Sequence, residues 1–192
     1  CDPAQSMVND LLRVFEYEAQ VKYPGSPASL DAPGGKTVRR LLQAFARDPL
    51  HRDWATSPQL ASRLRQLLGD EIELSQSHHN CIMTKNPAFS SATGWHQDIR
   101  YWLFERPELV SAWLALGAEH EENGCLWLVP GSHRMVFGPK QHDESLFLRE
   151  DHEDNREILA RKVAAELDEG DVLFFHCRTL HAAGRNLTDQ TK

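Results

Sequence analysis

Long apolar runs are missing from this sequence. The longest, such as VLFF at 172–175, fall far short of the roughly 20 residues a membrane-spanning helix needs. Cysteine is sparse: Cys1, Cys81, Cys125 and Cys177 are scattered, with no CxxC pair and no dense disulfide framework. Free thiols in a reducing cytoplasm are the expectation. Positive charge is in the minority, 21 Lys+Arg against 28 Asp+Glu for a net charge of -7. It forms no basic stripe, which argues against nucleic acid as a partner. No internal repeat, low-complexity tract or leader segment stands out. The chain opens CDPAQ without a methionine, which suits a sequence with cut ends. Nothing in it sets an oligomeric state.

What remains is a globular composition, 41% apolar and 26% charged over 192 residues. That is enough for one domain, taken as 1–192, with a sizeable core. The first seventy residues read as a helical flank. NDLLRVFEYEAQVKY (9–23), KTVRRLLQAFARD (36–48) and SPQLASRLRQLLG (57–69) carry helical apolar spacing, the last with Ser57-Pro58 as a start and Gly69 as a stop. From 71 onward the rhythm changes. EIELSQSHHNCIMTK, LVSAWLAL, CLWLV, KVAAEL and DVLFF read as short strands separated by turns such as EENG, PGS and DEGD. The absence of a βαβ rhythm favours an antiparallel barrel or jelly roll over 71–192. Residues 138–160 form a charged excursion with a short helix at 153–161.

Ten histidines is a high count for this length. Those at 51, 142 and 152 lie in polar tracts, and His120 and His133 lie in turns. Of His78 and His79, at most one faces inward on a strand. The informative stretch is GWHQDIRYW (94–102). On a strand, His96 and Asp98 point to the same side and can share one partner. A metal there needs a further ligand, and FFHCRTLHAAGRN (174–186) offers His176 or His181 at the end of a hydrophobic strand. Two imidazoles and one carboxylate leave positions open on the metal, as non-haem Fe(II) requires. Spacing alone chooses neither between His176 and His181 nor between iron and zinc.

Four pieces in order, WHQDIRYW (95–102), SAWLAL (111–116), ENGCLWLVPGSHR (122–134) and GDVLFFHCRTLHAAGRN (170–186), resemble the phytanoyl-CoA dioxygenase (PhyH-like) family of Fe(II)/2-oxoglutarate-dependent oxygenases. The resemblance runs from about residue 72 to the end and includes the gap of 83 residues between Asp98 and His181. It implies a mainly β, cupin-like double-stranded β-helix with flanking helices. It also implies Fe(II) on His96, Asp98 and His181, with 2-oxoglutarate and O2 as co-substrates. His176 becomes a residue of the inner wall or one standing behind the ligands. Lys192, eleven after His181, stands where relatives carry an arginine for the remote carboxylate of 2-oxoglutarate. Either it or a residue beyond the chain end serves that carboxylate, with Lys85 as a second cation and Trp113 lining the co-substrate pocket. Asn123-Gly124 reads as a turn pair.

The activity implied is hydroxylation of an unactivated C–H bond of a small organic molecule, with release of succinate and CO2. Asp98 favours hydroxylation over halogenation, because related halogenases carry a small residue there. Gln97, Arg100, Trp102 and His176 are the candidate substrate contacts, with Gln97 on the face opposite the ligands. Three other readings share the fold: a cupin-like metal hydrolase using the same ligands, a catalytically silent jelly-roll binding module, and an oxygenase of the same superfamily acting on protein or nucleic-acid side groups.

Overall fold

The computed structural model describes residues 31–192 except 34, 36 and 77. The helix expected over 9–23 lies outside the described residues. The chain divides into two compact units, one running to Ser91 and including Asp189–Thr191, the other Ala92–Thr188 with Lys192.

In the first unit the helix expected over 36–48 is replaced. Arg40–Leu42 form β1, antiparallel to β2 (Cys81–Met83), with Leu41 opposite Ile82. Only Ala44–Arg47 are helical (α1), entered from Gln43 in the left-handed region at φ 57°. Pro49 explains the early stop. The residue before a proline is pushed to extended backbone, and Asp48 sits at φ -149°, ψ 140°. From there its carboxylate accepts from Leu50 N at 2.8 Å and starts α2 (Pro49–Ala55). The third expected helix is present as α3 (Pro58–Leu68), with the Ser57 side chain accepting from Leu60 N and Gly69 at φ 96° ending it. The strand expected through EIELSQSHHN is absent: His78 and His79 both take positive φ, are exposed, and turn the chain into β2. Among the described residues no helix is long and apolar enough to cross a membrane.

The second unit is a two-sheet jelly roll. Four strands pair in the order β3 (Thr93–His96), β8 (His181–Ala183), β5 (Leu126–Leu128), β6 (Val163–Ala165). A second sheet pairs β4 (Val110–Leu114) with β7 (Val172–His176). Every pairing is antiparallel. Strand alternation gives the four-stranded sheet two buried faces. Trp95 and Ala182 pack with Val129, Leu148, Leu159 and Leu180 on one side. Leu148 and Leu159 come from the 138–160 excursion, whose helix α4 spans Glu153–Leu159. On the other side Leu126 and Leu128 meet Phe175 of the second sheet, with Trp113 and Leu173 against them. The ligand histidines expected from the sequence open onto this inner space, since Phe175 lies 5.0 Å from the His181 ring.

Candidate metal centre

Backbone pairing brings the two histidines together before any side chain acts. His96, the last residue of β3, is the register partner of His181, the first residue of β8. Directly opposed residues hold their Cβ atoms about 5 Å apart, and the two rings lie 4.3 Å apart by centroid. Asp98 arrives by a different route from the expected strand. β3 ends at His96, Gln97 stays extended at φ -116°, ψ 132°, and Asp98 opens a 3-10 turn through Tyr101. The extended Gln97 preserves the same-side relation, and the turn folds the chain away beyond it. Ile99 N donating to Cys177 O at 3.0 Å fixes that turn.

The start of β8 is equally constrained. Ser132, in the PGSH turn, donates to Val129 O at 2.7 Å and accepts from Leu180 N at 2.8 Å. Val129 N donates to Leu180 O at 2.9 Å. The residue before His181 therefore has both backbone groups satisfied by one turn.

His96, Asp98 and His181 are buried, and each offers one ligand atom within 4.8 Å of the other two. Asp98 Oδ1 lies 3.5 Å from His96 Nε2 and 3.4 Å from His181 Nε2. Nδ1 of His96 is 2.8 Å from Gly94 O, and Nδ1 of His181 is 2.9 Å from Thr179 O. A carbonyl can only accept, so both contacts place the imidazole proton on Nδ1 and leave the Nε2 lone pairs facing the carboxylate. Burial holds His96 below the ordinary histidine range. The Asp98 hydrogen bond opposes that shift, and the charge of His181 reinforces it. Three acceptors aimed at one point are mutually repulsive until a cation or proton joins them. Two imidazoles and a carboxylate suit a divalent transition metal.

Around this centre stand Ser111 and Phe147, which the sequence did not single out, and Arg100, which it did. Ser111 donates from Oγ to Asp98 Oδ2 at 3.3 Å. Its signal was available, because Ser111 and Trp113 share one face of β4. Phe147 lies 5.6 Å from the His96 ring. It is held there because Leu148 N donates to Trp95 O at 2.8 Å, and the Asp143 side chain accepts from Phe147 N at 2.9 Å. Nothing in the charged excursion marks Phe147 in advance. Arg100 stacks on Phe147 at 4.3 Å and Tyr101 at 5.3 Å, and donates to Ser145 O. Its buried Nη1 has no hydrogen-bond partner.

Of the remaining candidates, Gln97 donates to Arg178 O and so ties two segments together. Trp102 is half-buried with its ring 6.2 Å from Tyr101. His176 corrects its expected place on the inner wall: it alternates with Phe175 on β7 and so faces the opposite side. There its Nδ1 accepts from Arg178 N at 3.1 Å, and its ring lies 5.6 Å from that of His133. Lys85 stands two residues past β2 in the first unit, partly buried.

Trp113 and Lys192 meet at a residue without a role in the sequence reading. Trp113 Nε1 donates to Glu119 Oε1 at 2.7 Å, and Lys192 Nζ lies 2.9 Å from Glu119 Oε2. Lys192 Nζ also donates to Gly124 O at 3.3 Å and lies 5.8 Å from the centre of the Trp113 ring. Gly124 is required where it stands. It takes φ 79°, and a Cβ there would come within 2.7 Å of Gly184 O. Asn123 completes the turn, accepting from His120 N and donating to Ala118 O.

Known proteins share this arrangement of strands. The chain is 31% identical over 188 residues to an ectoine dioxygenase of Halomonas elongata, covering 88% of this chain and 55% of that protein. It is 27% identical over 168 residues to the human peroxisomal phytanoyl-CoA dioxygenase, covering 82% of this chain and 47% of that one. The crystal structure of EctD from S. alaskensis with 2-oxoglutarate and 5-hydroxyectoine superposes with a TM-score of 0.70 at 27% identity, over 93% of this chain and 64% of the other. The chain thus spans about half the length of the curated relatives it matches. The phytanoyl-CoA dioxygenase family model matches residues 9–192, and the chain belongs to that family.

Proposed function

We propose that this chain carries the catalytic centre of an Fe(II)- and 2-oxoglutarate-dependent oxygenase that hydroxylates an unactivated C–H bond of a small organic molecule, releasing succinate and CO2. One observation carries the reading: His96 Nε2, His181 Nε2 and an Asp98 oxygen converge, buried, with both imidazole protons committed to backbone carbonyls. A set of three leaves open positions for a chelating 2-oxo acid and for O2, which a closed structural site would not. Bound iron would supply the oxygen activation and C–H cleavage.

The chain's own residues supply placement. Gly94 O and Thr179 O orient the imidazoles, and Ser111 orients Asp98, the outer hydrogen bonds that fix ligand direction. Phe147 and Tyr101 flank His96 and exclude water from its side of the centre. Trp113 and Lys192 serve the remote carboxylate of 2-oxoglutarate. Arg100, its Nη1 without a hydrogen-bond partner, is suited to an anionic group on the primary substrate. Gln97 and Trp102 remain the weaker candidates for substrate contact.

The test is incubation with Fe(II), 2-oxoglutarate and a metabolite mixture. The expected result is a +16 product formed together with succinate. Hydrolysis products without succinate would replace this reading with a metal hydrolase, and a chlorinated product would replace hydroxylation with halogenation.

A further inference from the structure

The residue between Trp113 and Lys192 is itself a carboxylate. The indole N–H and the ammonium assigned to the remote end of a dicarboxylate both point, in this structure, at Glu119. Glu119 is 5% exposed and Lys192 is largely buried. We propose that Glu119 is an internal stand-in for the remote carboxylate of 2-oxoglutarate: it fills that place when the co-substrate is absent, must yield it when the co-substrate binds, and thereby sets the co-substrate affinity. The proposal rests on the oxygenase reading above.

Three features support displacement over a permanent buttress. First, the place is correctly disposed. Ser111 and Trp113 are i and i+2 on β4, so their side chains share a face about 7 Å apart along the strand. The first touches Asp98 and the second touches Glu119. A five-carbon dicarboxylate chelated beside Asp98 extends along that face towards the Trp113–Lys192 end. Second, charge does not allow both occupants. One ammonium facing two carboxylates leaves a net negative charge in a buried place, where charges are poorly screened. Third, Glu119 can leave without backbone rearrangement, the incoming carboxylate taking over its charge on Lys192. Its backbone is fixed by reciprocal bonds with Leu167, N to O at 2.8 Å and O from N at 3.0 Å, so only side-chain torsions need change. Its Oε2 is held by the charge of Lys192 without an aligned hydrogen bond. Lys192 stays in position through Gly124 O.

The experiment compares two 2-oxo acids on Zn(II)-loaded protein, where no turnover occurs. 2-Oxoglutarate uses the remote site; 2-oxobutyrate chelates but has no remote carboxylate. Glu119→Gln keeps the acceptor for Trp113 and removes the competing charge. It should tighten 2-oxoglutarate by about tenfold and leave 2-oxobutyrate unchanged. Weaker or unaltered 2-oxoglutarate binding in the variant overturns the proposal, because a buttress predicts that sign. In the wild-type protein the Trp113 indole N–H resonance, assigned by its loss in Trp113→Phe, should shift with 2-oxoglutarate and stay still with 2-oxobutyrate. This readout survives if the Gln variant folds poorly, and an unmoved resonance with bound 2-oxoglutarate also overturns the idea. A wild-type protein that takes up metal but neither acid removes the oxygenase reading itself.

Discussion

Two buried polar clusters lie in the same unit and are built on opposite principles. At the metal centre, His96, Asp98 and His181 present only acceptors to one another, their protons tied to Gly94 O and Thr179 O. At the Glu119 cluster, a carboxylate meets an ammonium and an indole N–H, so every charge has its opposite. The first gathers ligand atoms that a cation would join; the second balances its charges within the chain until another carboxylate competes for Lys192. The difference shows why burial of charge alone does not mark a site. What marks one is the convergence of ligand atoms from three residues on one point.

The sharpest way to break the comparison is the same chemical change in both clusters. Asp98→Asn should abolish iron-dependent turnover and weaken metal binding a hundredfold or more, of order ~3 kcal/mol. In the metal-free protein the same change should raise stability by about 1 kcal/mol, because an amide N–H can donate to a bare Nε2 where a carboxylate only repels it. Glu119→Gln should do the reverse in metal-free protein, costing about 3 kcal/mol by stripping Lys192 of its counter-charge. Denaturant titrations of the two variants, with and without metal, check the signs. Two destabilisations of equal size would erase the distinction. His181→Ala should remove metal binding like Asp98→Asn, whereas His176→Ala should retain it.

A smaller effect sharpens the metal side. Ser111→Ala removes one hydrogen bond from Asp98 Oδ2 without touching a ligand atom. Outer-shell losses of this kind typically cost about 10–100-fold in metal affinity. Competitive titration against a chelator of known strength should place Ser111→Ala near the lower end of that range. Smaller again is Arg100→Gln, which keeps hydrogen-bonding capacity and loses charge. In a mixed metabolite pool it should shift the oxygenated products from anionic compounds towards neutral ones, with total succinate little changed.

The HxD pair and the turns stand out as short motifs, whereas spacing alone leaves His176 and His181 as equal candidates and only the family resemblance points to His181. WHQD, PGSH and Asn123-Gly124 each carry a recognisable short motif, and the structure builds each into a turn or strand end, although their partners His181, Leu180 and Gly184 lie far along the chain. The strands β4 to β7 were legible because their apolar patterning is short-range. Three things were not. The helix expected over 36–48 gave way to β1 because its pairing partner, Cys81–Met83, lies some forty residues away. Phe147 reaches His96 through an excursion whose sequence is dominated by charge. Glu119 sits in AEHEE among three acidic residues, and only the fold shows that this one is turned inward to Lys192. Where a side chain's meaning depends on a distant partner, one-dimensional pattern carries little of it.

The smallest prediction concerns a histidine that belongs to neither cluster. Burial lowers the pKa of His176 from the usual 6.5, and the neighbouring charges of His133 and Arg178 lower it further. Its Nδ1 accepts from Arg178 N, which also requires that nitrogen to be unprotonated. The sign follows from linkage. As pH falls through about 6.5 the unfolded chain takes up this proton first, because the folded protein resists it. Stability is therefore lost progressively below that value, down to the lowered folded-state pKa. His176→Asn offers an amide oxygen where Nδ1 accepts and has nothing to titrate. It should flatten the fall in metal-free stability between about pH 7 and pH 5 while leaving stability near neutrality within about half a kcal/mol. His96 is also lowered by burial and adds a loss of the same sign, so the variant should retain part of the slope. If the slope is unchanged, His176 does not resist protonation in the folded state, and the acid sensitivity belongs to the metal centre alone.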